Sequence, residues 1–236
     1  MASKNRGPQR GGRNNQPDPV TRWIVIGMVA LVVIIGAVFT VISNKSASDV
    51  ALPAGASKAD GYGIVFNADK KPTIDIWEDF QCPSCKRFEE TNGSKIVSLI
   101  NEGKARVVFH TLSFLGDESV VAGMGGACAA DQGKFLDYHT YLYANQQQEH
   151  SGIWTKPYII SMAAAAGLDE TKFGACLNTD KYRKWLTNVA AAGSDANING
   201  TPTVVIDGNE IENDKPGVNY YTVEGFNAQL VKYGIK

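Results

Sequence analysis

Histidine and cysteine are scarce in this chain, three and four among 236 residues. No histidine adjoins a cysteine, and the one close cysteine pair is Cys82 with Cys85. A zinc knuckle needs a second close pair of Cys or His, so no metal site is expected. An excess of positive charge is also missing, since 23 basic residues stand against 24 acidic ones. Five of the basic residues and one of the acidic ones fall within residues 1–22, which leaves the remainder at −5. A mildly acidic body does not suit a phosphate backbone, and no nucleic-acid partner is expected.

Charge is absent altogether from Trp23 to Ile42, twenty consecutive residues. A helix rising about 1.5 Å per residue would carry this run across roughly 30 Å, the hydrocarbon thickness of a bilayer. A cleaved signal peptide is the alternative, but its apolar core is usually about 7–15 residues. The run reads as an uncleaved transmembrane anchor over residues 23–43. Residues 1–22, rich in Gly, Asn, Gln, Pro and Arg, have little to bury and read as a disordered basic tail. Positive charge before the span and little after it keeps that tail in the cytoplasm and exports the rest. Residues 44–58 are small and polar, a flexible tether. The expected location is the plasma membrane, single-pass, with the domain after the tether outside the cytoplasm.

What is present is organised around Ile74–Cys85, reading I-D-I-W-E-D-F-Q-C-P-S-C. Alternating apolar residues predict a strand that ends, turns and opens a helix. Pro83 suits the first helical position, where its missing N–H costs nothing. Cys82 then becomes the N-cap, facing unpaired N–H groups and the positive end of the helix dipole. A thiolate there is stabilised, so its pKa falls below the free value of about 8.5. Cys85 follows one turn later on the same face. An attacking thiol and a resolving thiol on one rigid turn point to thiol–disulfide exchange, with the Cys82–Cys85 bond itself as the redox group and no other cofactor. A purely structural bridge across so short a loop would remove little chain entropy.

Around that turn, residues 62–66 predict a short first strand and 73–79 the central one. The helix from Cys82 carries Phe88, Ile96, Leu99 and Ile100 on one face; Gly93 is a possible bend and Gly103 a stop. Residues 106–112 predict a second parallel strand, completing a βαβ unit. Helical patterns then cover 118–131, 134–147, 156–166, 169–177 and 180–192, with Gly167 and Gly193 as breaks. Strands resume at 203–207 and 210–212 around a Gly208-Asn209 turn, and a last helix spans 223–232. The expected fold class is α/β, a thioredoxin fold (59–116 and 199–236) interrupted by an all-helical insertion (117–198). Pro202 at the head of an apparently central strand is out of place unless the strand is an edge or the bond special. The functional reading is a cis Thr201–Pro202 bond beside the Cys82–Cys85 turn.

Four pieces in register, D-F-Q-C-P-S-C (79–85), A-C-A-A-D-Q-G-K-F (127–135), G-L-D-E-T-K-F-G-A-C-L (167–177) and N-G-T-P-T-V-V-I-D-G (199–208), resemble the DsbA-like thiol oxidases. The likeness is to the membrane-anchored forms of Gram-positive bacteria. It implies Cys82 as nucleophile, Cys85 as resolving thiol, Pro83 and Ser84 as the active-site dipeptide, and Thr201-Pro202 as the cis-proline loop. It also implies reduced or unfolded exported proteins as clients, and a quinone-linked membrane reoxidase of DsbB or VKOR type. Many relatives carry a buried carboxylate six residues before the first cysteine; here that position is Ile76, and Glu78, Asp79 or water is left to transfer protons.

Cys128 and Cys176 read as a structural disulfide, because exported cysteines in even number pair; a second electron relay is the sharper alternative. His110 reads as a strand residue, His139 and His150 as helix-surface residues. Phe135, Tyr138, Tyr141 and Leu142 have the spacing of a helix core face. Trp77, Phe80 and Phe114 are the candidates for an apolar client surface. Two further functions remain open: a reductase or isomerase using the same thiols, and a non-catalytic binding module tethered at the membrane.

Overall fold

The computed structural model describes residues 20, 23–24, 27–34, 50–213, 215 and 217–235. The chain divides into two units, Met1–Asp49 and Val50–Lys236. In the first, residues 27–34 are helical with exposed side chains. No helix among the described residues is long and apolar enough to cross a membrane. Most of the basic tail, residues 35–43 of the expected span and residues 44–49 of the tether lie outside the described residues.

The second unit is built on five strands: β1 (Ile64–Phe66), β2 (Thr73–Asp79), β3 (Arg106–Leu112), β4 (Thr203–Ile206) and β5 (Asn209–Glu210). They lie in the order β1-β3-β2-β4-β5, with β2 parallel to β3 and antiparallel to β4. β2 is central, and six of its seven residues are buried, because helices cover both faces. The helices are α1 (Pro83–Asn101), α2 (Asp117–Ala130), α3 (Phe135–Ala144), α4 (Lys156–Ala163), α5 (Glu170–Asn178), α6 (Arg183–Asp195) and α7 (Val223–Lys232). This is a thioredoxin-like α/β fold with five helices, α2–α6, inserted between β3 and β4. The crossover from β2 through α1 to β3 supplies the parallel pair.

α1 forms because Pro83 sits at its start and an apolar stripe (Cys85, Phe88, Ile96, Leu99, Ile100) faces inward. It ends where Gly103 takes the left-handed conformation, φ 64°, and its N–H reaches Ile100 O. Gly93 does not interrupt it. Phe88 meets Phe226 of α7 edge-on at 5.6 Å, closing one side of the core. On the other side α6 crosses β3. Gly193, expected as a helix break, lies inside α6; a Cβ there would come within 3.1 Å of the Trp77 ring. Close approach of helix to sheet, not chain termination, explains that glycine.

The hairpin also differs by one residue. Val205 pairs with Glu210 and Ile206 with Asn209, so Asp207 and Gly208 make the turn. Both have positive φ, 46° and 80°, as a two-residue turn of this hand requires. Residues 50–58 are not a free tether. Pro53 is buried, Ala54 N donates to Asp131 Oδ1 at 3.1 Å, and Ala56 bridges Ile64. The fold begins at about Val50, earlier than the expected residue 59.

Candidate active site

β2 delivers its last residues into a turn whose chain geometry is held by Asp79. Its carboxylate accepts from Gln81 N (3.0 Å), Leu115 N (3.2 Å) and Ser119 Oγ (2.6 Å). Its carbonyl accepts from Cys82 N at 2.9 Å. Those bonds leave Asp79 little capacity to carry protons, although burial holds its carboxyl above the usual range. Cys82 follows as the N-cap of α1, with φ −68° and ψ 118°, and Pro83 enters the helix after it.

Cys82 and Cys85 are both free thiols, 8% and 0% exposed, while Pro83 and Ser84 between them face solvent. The two sulfurs differ electrostatically. Cys82 falls from an ordinary 9.0 to about 6, first because Cys85 hydrogen-bonds to it, then because Thr201 and the N–H groups of Ser84 and Cys85 do so. Burial works against this shift and is outweighed. Cys85 moves the opposite way, pushed up by burial and by its bond to Cys82. One sulfur is an anion near neutrality and its neighbour keeps its proton, which is the asymmetry thiol exchange needs.

Opposite Cys82 stands the Thr201–Pro202 bond, which is cis. Thr201 O lies 3.4 Å from Cys82 Sγ and accepts from the thiol. Thr201 Oγ1 is buried without another hydrogen-bond partner and is free to donate to the thiolate. Tyr220 OH donates to Pro202 O at 2.7 Å, and Asn92 Nδ2 of α1 donates to Tyr220 O at 2.6 Å. The proline loop is thereby tied to α1 itself. A polar groove of about 260 Å³ is lined by Asn199, Gly200, Thr201, Pro202 and Tyr221.

Glu78 points to the opposite face of β2, into the interior. His139 Nε2 stands 2.9 Å from Glu78 Oε2, and His139 Nδ1 stands 3.8 Å from Glu89 Oε2. The three side chains are 6%, 4% and 7% exposed for Glu78, His139 and Glu89. Burial raises the Glu78 carboxyl to about 8 and Glu89 well above its ordinary value, and it lowers His139. Their ligand atoms lie within 4.8 Å of one another, the converging set that a divalent cation would use. With no lysine or arginine among the groups that shift them, protons neutralise this trio. When Glu78 does ionise, its charge pushes the Cys85 thiol up further.

The sequence did not single out Glu89, and it placed His139 on a helix surface. His139 is buried because aromatic rings of β3 and α3 surround it, with Phe109 at 4.8 Å and Tyr143 at 4.9 Å from the imidazole. The i, i+4 spacing of Phe135, His139 and Tyr143 was the available signal. His150 lies on a loop, not a helix. Trp77 and Phe80 are 5% and 3% exposed, core residues unfit for an apolar client surface; Phe114, 57% exposed, does face solvent. Trp77 is taken up by stacking on His110 at 3.7 Å. Cys128 of α2 and Cys176 of α5 are joined in a disulfide.

The profile of the family described as Thioredoxin matches residues 64–220. The chain belongs to the thioredoxin family. Within it, the chain is similar to disulfide bond formation protein D of Bacillus subtilis, 24% identical over 176 residues, covering 72% of this chain and 79% of that protein. Among solved structures, MdbA of Actinomyces oris, a thiol-disulfide oxidoreductase, superposes with a TM-score of 0.66 at 21% identity. That match covers 79% of this chain and 94% of the other. Oxidised BdbD of Bacillus subtilis superposes with a TM-score of 0.63 at 20% identity, covering 78% and 98%. These likenesses show the thioredoxin-like fold shared with thiol-disulfide oxidoreductases of the DsbA type.

Proposed function

We propose that the chain is a thiol–disulfide oxidoreductase that introduces disulfides into exported proteins through Cys82-Pro83-Ser84-Cys85. The observation that carries this reading is the pairing of a stabilised Cys82 thiolate with a protonated, buried Cys85 on one helical turn. In the oxidised enzyme a client thiolate attacks Cys82 Sγ, the Cys82–Cys85 bond breaks, and its electron pair leaves on Cys85. A second client thiolate attacks the client sulfur of the mixed disulfide and expels Cys82. The client loses two electrons and two protons. Cys85 retains one proton; the other passes to solvent, because Cys82 stays ionised above about pH 6. A low pKa makes Cys82 a good leaving group, so the exchange runs toward oxidised client.

Glu78, protonated up to about pH 8, is the group we assign to protonating Cys85, with Glu89 and His139 holding it. The Thr201–Pro202 loop, whose Thr201 O lies 3.4 Å from Cys82 Sγ, receives the client chain. Residues 23–43 anchor the protein in the plasma membrane with the fold outside the cytoplasm, where disulfides persist. A quinone-linked membrane reoxidase of DsbB or VKOR type takes the two electrons and restores the disulfide; the related protein of Bacillus subtilis carries the name of disulfide bond formation.

The test is incubation of the oxidised chain with a reduced, multi-cysteine client. Stoichiometric loss of client thiols and recovery of client activity are expected, and Cys85→Ala accumulates a mixed disulfide through Cys82. Rescue of a scrambled client without net oxidation would make the protein an isomerase. A Cys85→Ala chain that traps no client would make it a binding module.

A further inference from the structure

The turn that carries Cys82 is held by more than the thioredoxin core. Each of its four residues is hydrogen-bonded by the helical insert. Asp79 O accepts from Tyr143 OH at 3.2 Å, and its carboxylate from Ser119 Oγ. Gln81, fully buried, donates through Nε2 to Ser119 Oγ at 2.8 Å and accepts through Oε1 from His150 N at 3.0 Å. Gln146, just beyond α3, donates through Nε2 to Phe80 O at 2.8 Å and to Cys82 O at 3.0 Å. One amide therefore bridges two carbonyls of the turn, one of them the nucleophile's own.

We propose that Gln146 is a positioning residue for the redox reaction: by pinning the carbonyls of Phe80 and Cys82, the insert aims the Cys82 sulfur at the groups that stabilise its thiolate. The Cys82 carbonyl otherwise has Lys86 N at 3.1 Å as its helical partner, which fixes it from the α1 side alone. Rotation of the Cys82 peptide swings Sγ relative to the N–H groups of Ser84 and Cys85 and to Thr201. Hydrogen bonds to an anionic sulfur weaken steeply with distance and angle. A second anchor on the carbonyl suppresses that rotation. The insert thus sets how strongly Cys82 oxidises, although the hydrogen bonds that lower its thiol come from Cys85, Thr201 and Ser84.

The proposal rests on Cys82 as the redox nucleophile, but its readout is the thiolate itself, so client oxidation and Gln146 positioning can fail separately. In the full chain, Gln146→Met removes both donors at similar volume. Alkylation of reduced Cys82 by iodoacetamide, followed against pH, is expected to shift its midpoint upward, with at least a threefold slower reaction at pH 6. The equilibrium against glutathione is expected to move at least threefold toward the Cys82–Cys85 disulfide. Gln132→Met is the matched control, because Gln132 also makes two side-chain bonds to the backbone, to the N–H and carbonyl of Asp169, elsewhere in the insert. It is expected to leave both readouts unchanged whatever it does to stability. Should Gln146→Met fail to fold, Gln146→Ser decides, since at this half-buried site a short side chain admits solvent to the carbonyls while abolishing the anchor. A folded Gln146 variant with the native pH profile and glutathione equilibrium overturns the proposal, as does an equal shift in Gln132→Met.

Discussion

At the scale of single residues, the chemistry is a matter of where protons sit. The Cys82 thiol, lowered from 9.0 to about 6, ionises in the native state while an unfolded chain still holds the proton. The native reduced chain therefore gains stability as pH rises from about 6 to 9, and that contribution vanishes below about pH 6. A comparison of urea midpoints for the reduced chain and Cys82→Ser across this window checks the sign; a gap that narrows with rising pH would contradict it. Thr201→Val keeps the shape of the proline loop and removes the hydroxyl, so the alkylation midpoint of Cys82 is expected to rise. Glu78 acts in the opposite sense. Its carboxyl, raised from 4.5 to about 8, binds a proton more tightly in the native state. The stability this contributes is complete below about pH 4.5 and is lost as pH climbs through 8. Glu78→Gln, which resembles the protonated acid, should match the native chain at low pH and exceed it at pH 9 in urea unfolding.

At the scale of elements, α2 explains how a helix with three internal glycines survives. Its intrinsic propensity is poor, since each glycine costs about 1 kcal/mol against alanine. Ten of its fourteen residues are buried, and the glycines let its neighbours close in. A Cβ at Gly125 would fall 2.3 Å from Tyr138 Oη, at Gly123 2.9 Å from Leu186, and at Gly126 3.2 Å from Phe80. Gly125→Ala is accordingly expected to destabilise by roughly 1–3 kcal/mol through overpacking, against its favourable propensity; a stabilised variant in a thermal melt would show that the packing is looser than this. The disulfide from α2 to α5 closes a loop of 48 residues. Cys128→Ser with Cys176→Ser is expected to lose about 2–4 kcal/mol while leaving the Cys82 alkylation profile in place, the result that separates a structural bridge from an electron relay.

At the scale of the whole molecule, the thioredoxin unit and the insert divide the work: strand β2 and helix α1 supply the thiols, the β4 side supplies the proline loop, and the insert clamps the turn between. If the fold stands outside the cytoplasm, protease added to intact spheroplasts should degrade residues 50–236 while a tag on residues 1–22 stays protected. Digestion of the tag and protection of the fold would invert the orientation and remove the oxidising setting.

Much of this was determined by local chemistry and was legible in the sequence. The Cys82–Cys85 turn, the parallel β2–β3 pair, the helical insert and the last helix follow from Pro83, from residue periodicity and from glycine stops, all of which act over a few residues. The Asp207-Gly208 turn was displaced by one because register is set by partner strands, which the local pattern does not contain. What only tertiary structure decided is contact between distant segments. Glu78 meets Glu89 and His139, separated from it by 11 and 61 residues, and Gln146 reaches Cys82 across 64. Burial from all sides, not the identity of neighbours in the chain, made an acid of Glu78 that holds its proton and a core residue of His139, and burial is a property of the folded chain alone.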